Sequence, residues 1–302
     1  MLARLLQGVV AFALLLAAAG AAWAWQQGRP GWAIAWAVFV LGFHAWVMAL
    51  EFTLLRLAHG RDPAPRATAG QLLKAWAHEA ITAPVVFGWR QPFCSRAEPD
   101  HLPPDAHGRR GVLLVHGFVC NRGLWNPWLR RLRAQGTPFI AVNLQPVFGS
   151  IDDYIPLIDA AVARLQAATG LPPVAVAHSM GGLALRAWWA HLGNEHGHDE
   201  RLHHAITLGT PHHGTWLARF AMTRNARQMQ QLSRWLQTLA PRETAARRAR
   251  FTCFYSHCDN IVFPPSTATL PGADNRHVPG HAHVHLASFE GWWAELQRWL
   301  RP

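Results

Sequence analysis

Lysine is almost absent from this sequence. Lys74 is the only one among 28 basic residues, and Asp and Glu together number just 17 of 302. Charged side chains make up 15% and hydrophobic ones 50%, which excludes an intrinsically disordered chain, because such chains lack the apolar surface to fold on. Four cysteines with no CxxC pair exclude a disulfide scaffold or a zinc ribbon and leave open whether Cys253 and Cys258 bond. No fixed period recurs, which excludes coiled coils, collagen and repeat arrays. The shortage of acids leaves a formal charge of +11, suited to nucleic acid or to an anionic membrane surface. The arginine-rich stretch Arg242–Arg250 comes without any nucleic-acid-reading module. A solvated helix face or acidic lipid is the expectation there, and nucleic acid is not an expected partner.

What the chain does have is two long apolar runs at its start. Leu5–Trp25 holds 21 residues with Gln7 as the only strongly polar member. As a helix it reaches about 30 Å, enough to cross a bilayer core. Gln26–Gly31 reads as a tight polar turn, and Trp32–Leu50 is a second run, interrupted by His44 and closed by Glu51. Trp23, Trp25 and Trp32 flank the turn, where aromatic rings favour the membrane interface. Residues 1–58 therefore predict a transmembrane hairpin in a lipid bilayer, with spans over 5–25 and 32–50. The competing reading is a cleaved signal peptide, with Arg4 as its basic region and Ala22-Trp23-Ala24 as its cleavage site. A second span directly afterwards weighs against it. Arg4 before the hairpin and Arg56, Arg61, Arg66 and Lys74 after it, against Arg29 alone in the turn, predict that both flanks and the rest of the chain are cytoplasmic.

Residues 59–110 read as a linker, Pro-rich at 61–67, and an amphipathic helix. That helix is expected over Thr68–Ile81, with Leu72, Leu73, Trp76 and Ile81 apolar, and should stop at Pro84. Beyond Gly111 the pattern changes. Short apolar runs at Val112–Val115, Phe139–Asn143, Val174–Ala177, Ala205–Leu208 and Phe251–Tyr255 read as buried strands. Between and after them, Leu124–Arg133, Ile155–Ala168, Gly182–His191 and Phe289–Leu300 read as helices. Such alternation implies an α/β domain over 111–302, a parallel sheet with helices on both faces.

Three segments carry chemistry. Ala177-His178-Ser179-Met180-Gly181-Gly182 sits where a strand gives way to a helix, the context of a nucleophile elbow, with Ala177 where a glycine is usual. The bland alternative is a serine that caps a helix. His116-Gly117-Phe118 ends the first strand, so the backbone N–H groups of Phe118 and Met180 are the expected oxyanion donors. Asp259 follows a late strand, 80 residues after Ser179, and is the candidate acid. A catalytic histidine should come last, and His277, His281, His283 and His285 all qualify by order.

Together with Thr207-Leu208-Gly209-Thr210-Pro211-His212-His213-Gly214-Thr215 and Tyr255-Ser256…Asp259…Ile261-Val262, these segments resemble the bacterial triacylglycerol lipases and esterases of the α/β-hydrolase fold, over residues 111–290. The resemblance covers neither the hairpin nor residues 60–110. It implies a Ser179–Asp259–His283 triad, since Gly280-His281-Ala282-His283-Val284-His285-Leu286 matches that family's histidine segment with Ala282 in place of a glycine; His281 and His285 stay open. It also implies hydrolysis of carboxylic esters, a chemistry that needs no metal or cofactor; the hairpin adds an expected preference for lipid-like or apolar acyl esters and a place in a bacterial inner membrane. The Thr207–Thr215 segment is implied to be a loop beside the site.

Other readings remain beside it. The same triad serves thioesterases and acyltransferases, and a membrane scaffold without catalysis is a further alternative. His281-x-His283-x-His285, alternating on a strand face, and His196-x-His198-Asp199-Glu200 are candidate metal clusters. Asn225–Ala240 carries Met229, Leu232, Trp235, Leu236 and Leu239 at helical spacing, so 216–249 is either an ordinary packed helix region or a cap over an acyl pocket.

Overall fold

A strand apolar at every position can be buried only in a sheet covered on both faces, and the short Val- and Ile-rich runs form such a sheet. In a computed structural model that describes residues 1–193 and 199–301, the strands are β1 (Val112–Val115), β2 (Phe139–Ala141), β3 (Val174–His178), β4 (His204–Leu208), β5 (Phe251–Tyr255) and β6 (Asp274–His277). They lie in the order β2-β1-β3-β4-β5-β6, and every neighbouring pair is parallel. β6 has no counterpart in the sequence reading. It is an edge strand of Asp, Asn, Arg and His, exposed or half-buried throughout, so it carries no apolar signature.

The chain runs outward from β1 to β2, then returns past β1 to β3. The strand order therefore reverses between β1 and β3, which opens a crevice at their carboxyl ends. His116-Gly117-Phe118 leaves β1 there, and Ser179 leaves β3 beside it. One face of the sheet is covered by the helices Ile155–Thr169 and Met180–His191, the other by Asn126–Ala134 and Glu290–Leu300. Trp128 anchors the second layer against Trp292 and Trp293, with ring centroids 4.4 and 5.2 Å away.

The two N-terminal runs are helices α1 (Leu2–Gln26) and α2 (Pro30–Ala58), about 37 and 43 Å long. Both are long and apolar enough to span a membrane, and only 11% and 6% of their most apolar stretches are buried. Gly20 lets them approach, because a methyl group there would fall 2.0 Å from Nε1 of Trp36. Their ends near the sheet are tied to the segment that follows. Gln7 Nε2 donates to the Pro92 carbonyl at 2.8 Å, and Trp76 Nε1 donates to the Ala45 carbonyl at 2.8 Å.

α3 (Ala69–Ala83) is opened by Thr68, which forms a capping box with Gln71. As an α-helix it stops at Pro84, as the sequence suggested, but the chain keeps its helical course. The chain continues as a π-helix over Pro84–Arg90 and a final turn over Gln91–Phe93. Proline lacks an N–H, so the bond to the Ala80 carbonyl is lost there, and that carbonyl instead lies 3.0 Å from His44 Nε2.

The region after Thr215 also differs from expectation. In place of one run over 225–240 there are two short helices, Arg224–Gln228 and Arg234–Leu239, each capped by its own hydroxyl, Thr223 and Ser233. Leu232, between them, has φ +59°, a conformation that no helix of L-residues continues through.

Candidate active site

β3 ends at His178 and a helix begins at Met180, so Ser179 must turn the chain within one residue. It does so at φ +55° and ψ −132°, a backbone state that L-residues rarely adopt. The turn is held from both sides. The Ser179 N–H donates to the Leu208 carbonyl at 2.9 Å, and its own carbonyl accepts from Gly182 N–H at 3.0 Å and from Thr210 Oγ1 at 2.9 Å. Small residues are required around it: a methyl group on Gly181 would meet the His116 carbonyl at 2.5 Å. The Ser179 side chain makes no helix-capping bond, which disposes of the bland reading.

Asp259 lies in the loop after β5. Its Oδ1 accepts from the Ile261 and Val262 N–H groups at 2.9 and 2.8 Å, which fixes the carboxylate. Nδ1 of His283 sits 2.9 Å from both Asp259 oxygens. A carboxylate only accepts, so the Nδ1 proton is held there and Nε2 keeps its lone pair for a substrate or nucleophile proton. Of the four histidines open by order, only His283 reaches the acid. His277 contacts Tyr255 and His257, His281 bonds the Pro279 carbonyl, and His285 stacks on His281. His283 and His285 begin a helical turn, His283–Leu286, and so do not alternate on a strand face. Burial would lower the His283 pKa, but Asp259, with further negative charge from Glu79 and Glu51, outweighs it and holds it above the ordinary value.

His178 joins the two halves of the site. Its Nε2–H donates to the His283 carbonyl at 3.0 Å, and the two rings lie 4.6 Å apart. Burial and the neighbouring His283 lower the His178 pKa to about 3, so it stays neutral. Among the described residues the Ser179 hydroxyl forms no hydrogen bond. In the free state of such sites the serine–histidine bond is often long and tightens only with substrate.

Neither the Phe118 nor the Met180 N–H donates to an acceptor among the described residues. The loop that presents Phe118 is fixed by His116, whose Nδ1–H donates to the Gly117 carbonyl at 2.9 Å and whose Nε2 accepts from Leu144 N–H at 3.0 Å. Burial lowers the His116 pKa to about 4, so this neutral bridge persists at working pH.

Residues 112–301 match the alpha/beta hydrolase family. The chain belongs to that family. Among solved structures, the mature lipase BlEst2 of Bacillus licheniformis superposes with a TM-score of 0.56 at 17% identity, over 66% of this chain and 96% of that one. Lipase B of Aspergillus fumigatus superposes with a TM-score of 0.53 at 20% identity, over 64% of this chain and 53% of that one. At such identities the likeness speaks for the fold alone. No curated protein matches by sequence.

Around this hydrolase site the structure gives contacts to the Thr207–Thr215 segment and adds residues that the sequence did not single out. Thr210 buttresses the elbow, and Gly209 packs so tightly that a methyl group there would lie 2.7 Å from Asp259 Oδ2 and 3.2 Å from His283 Nδ1. The expected loop beside the site is thus in contact with it. Asn260, Glu51 and Glu79 also converge on the His283 turn. In the sequence Glu51 marks only the close of the second apolar run, and Glu79 is the single acid within an otherwise apolar stripe with Leu72, Ala75 and Ala83. The loop that carries Phe118 has apolar neighbours: Phe118 meets Phe148 edge-on at 6.0 Å, and Leu2 and Leu6 of α1 pack on Val147 and Val119. The segment 216–249 is tied down through Asn225 Nδ2 to the Val147 carbonyl at 2.8 Å and Gln228 Oε1 to Ile151 N–H at 2.7 Å, yet it exposes Phe220, Met222 and Leu232. Cys253 and Cys258 are both free. Among the described residues no three His, Cys, Asp or Glu side chains converge to hold a metal, while His196 and His198 lie outside those residues.

Proposed function

We propose that this chain is a membrane-anchored serine hydrolase that cleaves carboxylic esters with apolar acyl groups, with Ser179 as nucleophile, His283 as base and Asp259 as its orienting acid. The observation that carries the reading is the double contact of His283 Nδ1 with Asp259 beside a serine strained at φ +55°. The chemistry uses only the chain's own groups. Ser179 Oγ attacks the ester carbonyl while His283 Nε2 takes its proton, and Asp259 stabilises the imidazolium that forms. The Phe118 and Met180 N–H groups receive the oxyanion; a donor of this kind typically contributes about 3–4 kcal/mol. His283 then gives its proton to the leaving alkoxide, which departs as the alcohol and leaves an acyl-Ser179 ester. Water attacks that ester, its proton passes through His283 to Ser179, and the acid is released.

The preference for apolar acyl esters is supported by Phe118, Phe148, Val119 and Val147 around the loop after β1 and by the base of the hairpin beside it. In this reading residues 1–58 are the retained anchor, 59–110 the connection and 111–302 the catalytic domain, with 216–249 as a cap. The basic flanks favour a cytoplasmic catalytic domain on a bacterial inner membrane. Fluorophosphonate labelling of membranes that carry the full chain tests the triad. Wild type should label, Ser179→Ala should not, and His283→Ala should label far more slowly. Labelling that survives Ser179→Ala, or an unlabelled but folded wild type, would sink the reading.

A further inference from the structure

The hydrolase family match begins at residue 112, yet two carboxylates from before it hold the His283 turn. Glu79 of α3, 1% exposed, accepts from the Val284 N–H at 2.7 Å and from the His285 N–H at 3.0 Å. Glu51 of α2 accepts from Asn260 Nδ2 at 2.6 Å, and Asn260 Oδ1 accepts from the His283 N–H at 3.2 Å. The backbone amides of His283, Val284 and His285 are therefore all fixed from the N-terminal segment, directly or through one side chain.

A neutral amide could accept such N–H groups with less desolvation, because a buried carboxylate is among the costliest groups to keep from water. Among the described residues no Lys or Arg pairs with Glu79. What an acid supplies beyond an acceptor is negative charge, which Glu79 carries fully only above about pH 7 because burial raises its carboxyl to that value, and the cation near it is the imidazolium formed when His283 takes a proton. The groups that act on the charge of that ring are Asp259, Glu79 and Glu51, with the neutral His178 in ring contact; His285, whose N–H donates to Glu79, stacks on His281 and meets His78 edge-on.

We propose that Glu79 and Glu51 are positioning residues for His283, so that the segment ahead of the hydrolase domain is part of the catalytic site and not only an anchor. This rests on the triad reading given above. The geometry gives the pair two effects: they aim Nε2 by pinning three successive amides, and they favour the charged ring in the transition state.

The test is the pH dependence of fluorophosphonate labelling by the full chain in membranes, read as both rate and labelled fraction, for wild type, Glu79→Gln, Glu79→Ala and Glu51→Gln, with Ser179→Ala as control. Glu79→Ala is expected to slow labelling on the order of 100-fold. Glu79→Gln, which can still accept N–H bonds, is expected to lose less rate but to move the pH midpoint downward, since His283 has lost a negative neighbour. Glu51→Gln should move it in the same direction. Wild-type rates and midpoints in both Gln variants would overturn the proposal. A lower labelled fraction in Glu79→Ala with unchanged rate and midpoint would also overturn it, because that pattern reports folding alone. Labelling that persists in Ser179→Ala would instead overturn the triad reading, and the proposal with it.

Discussion

Gly117 and Ser179 approach so closely that a methyl group on Gly117 would stand 2.7 Å from the Ser179 Cβ. The same methyl would come 3.2 Å from the His178 carbonyl. The loop after β1 and the turn at Ser179 are thus packed against one another at a point with no room for a side chain. Gly117→Ala should displace one of them and lower the labelling or esterase rate by about 100-fold, with a stability loss of about 1–3 kcal/mol from overpacking. Kinetics and thermal unfolding of the same preparation separate the two effects; an unchanged rate would contradict the packing argument.

Asp259→Asn tests the acid without removing bulk. The amide would turn an acceptor into a donor on one side and so disfavour the His283 tautomer that leaves Nε2 free. In a serine protease triad the equivalent change reduces turnover by about 10⁴-fold. A loss of that order is expected here in ester turnover, with covalent labelling slowed in parallel. A loss of only a few-fold would mean that another group supports His283.

In the proposed mechanism His283 must be neutral to accept a proton, and its pKa is raised above 6.5 by Asp259, Glu79 and Glu51 against the opposing effect of burial. Activity should therefore rise with pH through a midpoint above that value. A pH profile of kcat/KM checks it; a midpoint well below 6.5 would contradict the electrostatics of the site.

Glu79 makes a separate prediction about stability. Burial raises its carboxyl to about 7 from an ordinary value of 4.5, against the opposing effect of the Val284 N–H. Between those two pH values the folded state binds more protons than the unfolded one, so the Glu79 contribution to stability falls as pH rises from 4.5 to about 7. Glu79→Gln removes that contribution to the slope. Melting temperatures near about pH 5 and about pH 7.5 should therefore diverge less in the variant than in wild type.

Arg186, on the elbow helix, meets Glu243 of the 216–249 segment through Nε and Nη2, both at 2.7 Å, and its Nη1 donates to the His212 carbonyl at 2.9 Å. Both partners are buried. Arg186→Ala would strand the Glu243 charge and should destabilise the protein by about 3–5 kcal/mol, readable as a lower melting temperature in detergent. A change below about 1 kcal/mol would show that the pair behaves like a surface ion pair.

The strand-to-helix turn at Ser179, the loop after β1 and the order of the elements were legible because each is local. Val174–His178 runs straight into Ser179, and the spacing of Val112–Val115 and Phe139–Ala141 marks buried strands without reference to anything distant. The edge strand Asp274–His277 was illegible for the opposite reason: its backbone pairs with β5, while its side chains face water and carry no pattern. The break at Leu232 escaped because apolar residues at helical spacing do not disclose that the chain turns between them.

By itself the sequence determined an apolar helical pair followed by a parallel α/β domain, together with a short list of groups able to do acyl chemistry. Those follow from hydrophobic periodicity and from turns that only small residues allow. Which histidine meets Asp259, and that two glutamates from α2 and α3 close around it, was decided by tertiary structure alone. Those contacts join residues 24 and 205 positions apart. No local pattern encodes them, because they depend on where β5, β6 and α3 come to rest once the sheet and the hairpin have packed.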